Sequence, residues 1–363
     1  MRKIRRYIPL PAMILIFTAV ICAIINVIAV CNRGFADFFN LNISPFFRMI
    51  LAKITGVLPF SLAEIIIILS PVLMILLIIQ AVRLIKKDGV KRVRFLFSIL
   101  AVIAYIYSSF VLTFATAYRG TSLEDKLSIS RKEVSAAELQ AAARIVLDEL
   151  NLLSENITYD GEGFSVMPYG FSELNSKMNA AYAGLCEKYS FISELNSRVK
   201  SVMLSEPMTY THISGVYTFF TGEANVNVNY PDYITPYTMA HEMAHQRGIA
   251  REDEANFVAF LVCLESDDTY IRYSAYLNMY EYLANALFRA DKDAYKELYS
   301  DLPVSVIEEL IAYSEFYDKY RDSVVSDISD SVNNSYLVSQ GQTSGTASYG
   351  LVTELAVAYL LGQ

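Results

Sequence analysis

The chain has 363 residues, a hydrophobic share of 54%, a mean hydropathy of +0.32 and a net charge of −8. That hydrophobic share exceeds what the core of a soluble domain needs, so the composition argues against an ordinary soluble protein and indicates a membrane-embedded part. The first 119 residues carry 14 Lys and Arg against 3 acidic residues and the remainder carries 16 against 35, so the acidic remainder would repel nucleic acid.

Three apolar stretches lie in the basic part, at 8–30, 60–82 and 95–117. Each is long enough to cross about 30 Å of hydrocarbon. The first is too long for the apolar region of a signal peptide, and Val30 before Cys31 does not suit lipoprotein-type cleavage. The sequence therefore predicts an uncleaved transmembrane anchor over 1–118.

The distribution of positive charge predicts the orientation of these spans. The N-terminus is densely basic, the link at 32–59 is sparsely basic, and the link between the second and third spans is densely basic. The basic residues of that last link are Arg83, Lys86, Lys87, Lys91, Arg92 and Arg94. Because dense positive charge stays in the cytoplasm, we expect a multi-pass protein of the cell membrane with a cytoplasmic N-terminus and an extracytoplasmic domain over 119–363.

The acidic part shows the pattern of a mostly helical domain. Apolar residues recur at helical spacing in five segments: 135–150, 172–189, 251–264, 270–289 and 304–320. An alternating run within 217–230 predicts a short edge strand or hairpin. A Gly/Ser/Thr-rich loop follows at 340–350. The expected fold class is therefore mainly α, with three N-terminal transmembrane helices.

The stretch 235–248 carries signals for both the start and the end of a short helix. Thr235 suits an N-cap, Pro236 suits the first helical position and Gly248 suits the stop, so the pattern predicts a helix over 236–247. His241 and His245 lie four residues apart and share one face of that helix. The sequence therefore predicts that both imidazoles bind one zinc ion.

Glu242 follows the first of these histidines directly. A carboxylate there reaches a metal-bound water, takes its proton and passes it to a leaving amine. We therefore expect Glu242 to be the general base of a peptidase.

A catalytic zinc needs a third protein ligand. The acids at 252–254 are nearest, and His212 is the only further histidine. Glu252 shares its helical face with small residues, whereas Glu254 shares a face with large apolar ones, so the packing pattern favours Glu252 and leaves Glu254 as the alternative. Asn256 lies one turn later, where it could hydrogen-bond a ligating histidine.

Two of the four cysteines, Cys186 and Cys263, lie far apart in the acidic part, and the chain has no Cys-x-x-Cys pair. Thiolate zinc sites and thioredoxin-type motifs are therefore excluded. The pattern favours two small core residues over a disulfide between them, and leaves the disulfide open.

The run His241-Glu242-x-x-His245 followed by Glu252-x-x-Ala255-Asn256 resembles the gluzincin pattern of zinc peptidases. The fuller run from Phe219 is similar to an uncharacterised bacterial family of membrane proteins of unknown function. One departure is the seven-residue spacing from His245 to Glu252, since gluzincins usually place this glutamate much further away. The Gly three residues after His245 resembles the tight turn of metzincins.

The resemblance implies a zincin-like domain in which an edge strand binds substrate backbone, and the stretch 223–229 with Asn225 and Asn227 lies where such a strand would be. Four side chains are candidates for stabilising an oxyanion, since each donates a hydrogen bond. They are His212, Tyr270, Arg272 and Tyr273.

These observations predict a membrane-anchored, zinc-dependent peptidase with a peptide or protein substrate and the lipid bilayer as its surroundings. Two other classes of function stay open. One is a catalytically silent sensor that binds peptides in the same cleft, and the other is a membrane scaffold whose acidic face recruits partners.

Overall fold

The computed structural model describes residues 2–85, 89–342 and 351–362. It divides the chain into two compact units: unit 1 is Met1–Gly120 with Thr218–Glu223, and unit 2 is Thr121–Tyr217 with Ala224–Gln363. Lys86 and Lys87 of the predicted basic link, and positions 343–350 of the predicted loop, lie outside the described residues. The expectation of a mainly α protein with three apolar N-terminal helices is confirmed.

Unit 1 is built from helices. They are α1 (Arg2–Tyr7), α2 (Leu10–Cys31), α3 (Arg33–Phe38), a π-helix (Phe39–Ile43), α4 (Ser44–Gly56), α5 (Leu62–Ile85), α6 (Gly89–Thr113) and a 3₁₀ helix (Ala115–Arg119). Three of them, α2, α5 and α6, are long and apolar enough to cross a membrane. The link between α2 and α5 is helical as well, and it begins where the side chain of Asn32 accepts the N–H of Phe35 at the start of α3.

Helices α2 and α6 pack together through small side chains. Cys22 of α2 is buried, and so are Ala101 and Ala104 of α6. Small residues let two apolar helices approach closely where no water drives their association. Helix α5 instead leaves its large apolar side chains exposed from Val72 to Ile79, as suits a lipid-facing surface.

The segment Thr218–Glu223 belongs to unit 1, and Glu223 and Gly222 both make close contacts there. The Glu223 carboxylate accepts the N–H groups of Leu62 (3.0 Å) and Ala63 (2.9 Å) at the start of α5, where a helix has unpaired donors and a positive dipole end. Gly222 has φ +73°, and a Cβ there would lie 2.5 Å from the Cβ of Leu51. A side chain at position 222 would therefore be strained both by its backbone conformation and by this contact.

Unit 2 is mostly helical around a small sheet. Its elements are α7 (Leu123–Leu127), α8 (Ala136–Ser154), α9 (Phe171–Lys188), β1 (Lys200–Ser201), α10 (Ser205–Thr209), β2 (Gly215–Thr218), β3 (Glu223–Val226), α11 (Ile234–Gln246), α12 (Glu252–Glu265), α13 (Thr269–Ala290), α14 (Lys292–Ser300), α15 (Val304–Arg321), α16 (Val324–Ser339) and α17 (Val352–Leu360). The five helices predicted from apolar spacing are α8, α9, α12, α13 and α15.

Helices α11 and α12 form the centre of unit 2. Every residue of α12 from Glu252 to Cys263 is buried, which suits a helix surrounded by others. Tyr237 of α11 donates its hydroxyl to the carbonyl of Asn256 in α12 at 2.8 Å. Cys263 and Cys186 are both unbonded, as the sequence favoured.

The sheet has the strand order β1-β3-β2. β1 and β3 are parallel, with Lys200 opposite Asn225. β3 therefore has a partner on each side, so the expectation that 223–229 supplies an edge strand is wrong, while the alternative prediction of a hairpin agrees with β2 and β3 being neighbours in the sheet. The edge strands of this sheet are β1 and β2. Residue alternation specifies the two faces of a strand but not its place in the sheet.

Unit 2 also buries polar groups away from its centre. Glu309 of α15 is fully buried, accepts the N–H (2.9 Å) and hydroxyl (2.5 Å) of Ser165, and accepts the hydroxyl of Tyr273. Glu281 of α13 is partly buried. Burial, with the charge of Glu309 adding to it, raises the pKa of Glu281 from 4.5 to about 8.

This shift predicts that the stability of unit 2 falls as the pH rises. The folded state holds a proton on Glu281 that the unfolded state releases, so the contribution of Glu281 is fully present below pH 4.5 and is lost as the pH rises to about 8. We expect Glu281→Gln to unfold at a higher temperature than wild type at pH 9, by an amount worth on the order of a few kcal/mol, and to gain little at pH 5. Circular dichroism melts at the two pH values measure this, with the exposed Glu315→Gln as the control. Equal gains at both pH values would contradict the assignment.

Candidate metal centre

Helix α11 carries the two candidate histidines and begins earlier than the sequence predicted. Its N-cap is Tyr233 rather than Thr235. The chain already turns before the helix, since Ile234 donates its N–H to the carbonyl of Pro231 at 3.0 Å. Pro236 therefore lies within the first turn, where its missing N–H costs no hydrogen bond.

The end of α11 has the predicted glycine. Gly248 has φ +91° and donates its N–H to the carbonyl of His245, and Ile249 donates to the carbonyl of Ala244. These two bonds form a Schellman motif, which satisfies the last carbonyls of a helix. The same turn places the Ile249 carbonyl 2.7 Å from Nδ1 of His245. Nδ1 therefore carries the hydrogen, and Nε2 is the ring nitrogen on the side of Glu252 and the candidate for metal binding.

Three side chains converge at this end of α11. Nε2 of His241 lies 3.3 Å from Oε2 of Glu252, and Nε2 of His245 lies 3.4 Å from the same oxygen. The two imidazole rings are perpendicular, with centroids 4.6 Å apart. Ligands at 2.0–2.1 Å from a tetrahedral zinc ion are separated by about 3.3 Å, so both distances match an edge of that tetrahedron. One ligand atom from each residue lies within 4.8 Å of the other two, and the three residues could hold one metal ion.

The first turn of α12 sends three successive acids to different partners. Glu252 faces the two histidines, Asp253 pairs with Arg131, and Glu254 accepts the N–H of Leu123 at 2.9 Å. Successive helical side chains point about 100° apart, so only one of the three can face α11. The geometry thus selects Glu252 rather than Glu254 as the carboxylate beside the imidazoles.

The cluster attracts positive charge. Burial opposes the charged form of His245, but the Glu252 carboxylate outweighs burial and raises the pKa of His245 to about 9. Burial would raise the pKa of Glu252, but the two imidazoles hold it well below its usual range. A site with this potential favours a bound cation.

Glu242 lies beside this cluster and is 4% exposed. Burial raises its pKa above the ordinary value, while the two histidines and the backbone N–H of Tyr217 oppose the rise. Its Oε2 has no hydrogen-bond partner among the residues that the structure describes. A buried carboxylate oxygen without a partner next to three candidate metal-ligand atoms suits a base that binds a water there.

Strand β2 passes directly over Glu242. A Cβ built on Gly215 would lie 2.7 Å from Cγ and Oε1 of Glu242 and 2.7 Å from Cγ2 of Thr238. Only glycine lets the strand backbone come this close. The sequence reasoning missed Gly215 and Tyr217, although a glycine inside a β-patterned run is a usable sign of close backbone approach.

The outer edge of β2 faces the same side as Glu242. Asn227 donates its N–H to the carbonyl of Ser214 at 2.8 Å. Because the main-chain groups of a strand alternate in direction, the N–H and carbonyl of Val216 point towards β3, and those of Gly215 and Tyr217 point away from it. The Tyr217 N–H reaches the Glu242 carboxylate. The main-chain groups of this edge therefore lie beside the candidate base.

The structure places the four candidate oxyanion donors in other networks. His212 lies 2.8 Å from the Tyr320 carbonyl through Nε2, and Arg272 pairs with Glu149 at 3.5 Å. Tyr270 bonds to Ser165, and Tyr273 donates to Glu309. Among the described residues none of the four bonds to the histidines, Glu242 or Glu252, so their role in catalysis stays a prediction.

The three predicted asparagines are all buried. Asn225 donates its amide to the Val216 carbonyl at 3.0 Å, and Asn227 donates to the Ile213 carbonyl at 3.1 Å, so both hold the sheet and its approach loop together. The amide nitrogen of Asn256 and Nδ1 of His241 each lack a hydrogen-bond partner in the described part of the chain. The predicted bond from Asn256 to a histidine is thus not formed in this arrangement.

A family model described as "Protein of unknown function (DUF3810)" matches residues 39–357. The matched range includes the whole candidate metal centre and covers most of the chain, which confirms the resemblance to an uncharacterised family. No curated protein and no solved structure matches the chain.

Proposed function

Since the chain belongs to this family of unknown function, we propose a function from its own residues: it is a zinc-dependent peptidase anchored in the membrane by α2, α5 and α6. The observation that carries the proposal is the convergence of His241, His245 and Glu252 beside the unpartnered oxygen of Glu242. Two imidazoles and one carboxylate are a ligand set used by catalytic zinc, and they leave the fourth position open.

A bound zinc ion would polarise the scissile carbonyl and acidify a water at the open position. Glu242 would hold that water through Oε2, accept its proton and deliver the proton to the leaving amine. The Tyr217 N–H keeps the Glu242 carboxylate in place, and Ile249 keeps Nε2 of His245 directed at the ligand cluster. The chain's own residues therefore supply both the base and its orientation.

The substrate backbone would lie along β2. An extended peptide adds to a sheet through main-chain hydrogen bonds at an unpaired edge, and Gly215 presents such groups next to Glu242. This placement brings a scissile peptide bond to the base without any contact from Asn225 or Asn227. A peptide or unfolded protein segment is the class of substrate that this geometry suits.

We further propose that the N-terminus is cytoplasmic and that unit 2 lies outside the cytoplasm. The support is the charge distribution, with basic clusters at the N-terminus and between α5 and α6.

The zinc site predicts a definite pattern of metal content. Purified full-length protein should hold one zinc per chain, and His241→Asn or Glu252→Gln should lose it because each removes one of three ligands. The matched controls are His212→Asn and Glu254→Gln, which make the same chemical changes outside the ligand set. Both should retain zinc, the second because a glutamine amide oxygen can still accept the Leu123 N–H that holds this side chain. Metal analysis after dialysis measures all five proteins. Zinc retained in Glu252→Gln but lost in Glu254→Gln would assign the third ligand to the other acid.

The role of Glu242 predicts a loss of turnover without a loss of metal. We expect Glu242→Gln to lower kcat for cleavage of an unfolded protein by about 10²- to 10⁴-fold, since the amide cannot accept the proton, while the zinc content stays at one per chain. Cleavage assays with and without a chelator measure this. Wild-type protein with full zinc and no cleavage of any of a panel of peptides would favour a silent peptide-binding module.

The orientation is tested with fused reporters. Alkaline phosphatase, which is active only outside the cytoplasm, should be active when fused after Gln363 and inactive when fused after Lys91. The opposite pattern would place unit 2 in the cytoplasm.

A further inference from the structure

Arg131 connects the start of α12 to two other segments of unit 2. It lies between α7 and α8, and its side chain is 20% exposed. Its guanidinium pairs with Asp253 at 2.5 Å, with Glu124 at 3.3 Å and with Glu354 at 3.0 Å. It also donates to the carbonyl of Leu351 at 2.9 Å. One cation therefore joins α7, the first turn of α12 and the beginning of α17.

This cation acts on the residue next to the candidate ligand. Asp253 follows Glu252 directly, and its side chain is only 5% exposed, so the pair with Arg131 is largely shielded from water. Glu254, the next residue, is held by the N–H of Leu123 and by Arg251. With the directions of these two acids fixed, the rotation of the first turn about the helix axis is fixed, and so is the direction of Glu252.

We propose that Arg131 is a positioning residue for Glu252: by binding Asp253 it sets the first turn of α12 so that the Glu252 carboxylate meets the two imidazoles. The proposal rests on the proposed function, because the expected consequence of this positioning is tight zinc binding. It needs no contact between Arg131 and the metal.

Helix α17 also takes part in this arrangement. Glu354 pairs with Nε of the guanidinium, and the Leu351 carbonyl accepts from the same terminal nitrogen that binds Asp253. A planar guanidinium is held in one orientation once several of its N–H groups are hydrogen-bonded. A lysine ammonium, which is a compact charge on a flexible stem, would not be held in this way. Helix α17 thus supports the ligand helix through Arg131.

The test compares zinc affinity in the full-length protein by competition with a chromogenic chelator. Arg131→Met keeps the apolar stem and removes the charge, and we expect it to raise the zinc Kd by about 10- to 100-fold, as for other groups that orient a metal ligand. Asp253→Asn should give a similar rise in Kd. The Kd of the double variant should be no higher than that of the weaker-binding single variant, since both changes remove the pair between Arg131 and Asp253. The control is Arg144→Met, which removes a surface cation paired with Asp301 on the same unit and should leave the Kd within about twofold of wild type.

A second measurement does not depend on zinc. In metal-free protein, amide hydrogen exchange at 253–256 should accelerate in Arg131→Met while exchange in α11 stays as in wild type. A zinc Kd within about twofold of wild type in Arg131→Met, or single effects that multiply in the double variant, would overturn the proposal. If wild-type protein binds no zinc, the proposed function fails, and unchanged exchange at 253–256 would then overturn the positioning role by itself.

Discussion

Three consecutive acids open helix α12 in the middle of unit 2, and each needs a partner of its own. A buried carboxylate is costly unless a cation or hydrogen-bond donors compensate it. Unit 2 supplies the histidines of α11 to Glu252, a guanidinium to Asp253, and a backbone N–H with Arg251 to Glu254. Helix α11 brings the histidines, α7 brings the Leu123 N–H, and the segment between α7 and α8 brings Arg131. Helix α17 contributes by binding Arg131.

The short connection between the two ligand helices depends on the turn at Gly248. The Schellman motif reverses the chain within a few residues, so Glu252 can return to the face of His245 after a link of only six residues. That turn also provides the Ile249 carbonyl that orients His245. The glutamate follows the histidine more closely than is usual for the gluzincin pattern. Because one turn both shortens the connection and orients His245, this close spacing is compatible with one shared site.

The parts of this site that a sequence can predict are those specified by local pattern. Helical spacing and the stop at Gly248 were enough to place His241, His245 and Glu252 on neighbouring helices, and apolar length was enough for the three spans. Strand order was not predictable, because alternation in 223–229 is equally compatible with a central and an edge strand. Arg131 carried no local signal for this role either, since Asp253 and Leu351, which it joins, lie more than a hundred residues away along the chain.

In the proposed function, strand β2 would have two roles. Its outer edge would receive a peptide, and the same edge binds Glu242, the proposed base, through the Tyr217 N–H. Glycine inside a strand costs about 0.5–1 kcal/mol relative to alanine. A Cβ at position 215, however, would meet Glu242 and Thr238 at 2.7 Å and push the strand away from the base. If Glu242 is the base, as proposed, such a shift would lengthen the distance between its carboxylate and the water that attacks the bound peptide, whereas proton transfer requires hydrogen-bond distance. Glycine at position 215 keeps that distance short at a small cost in strand stability.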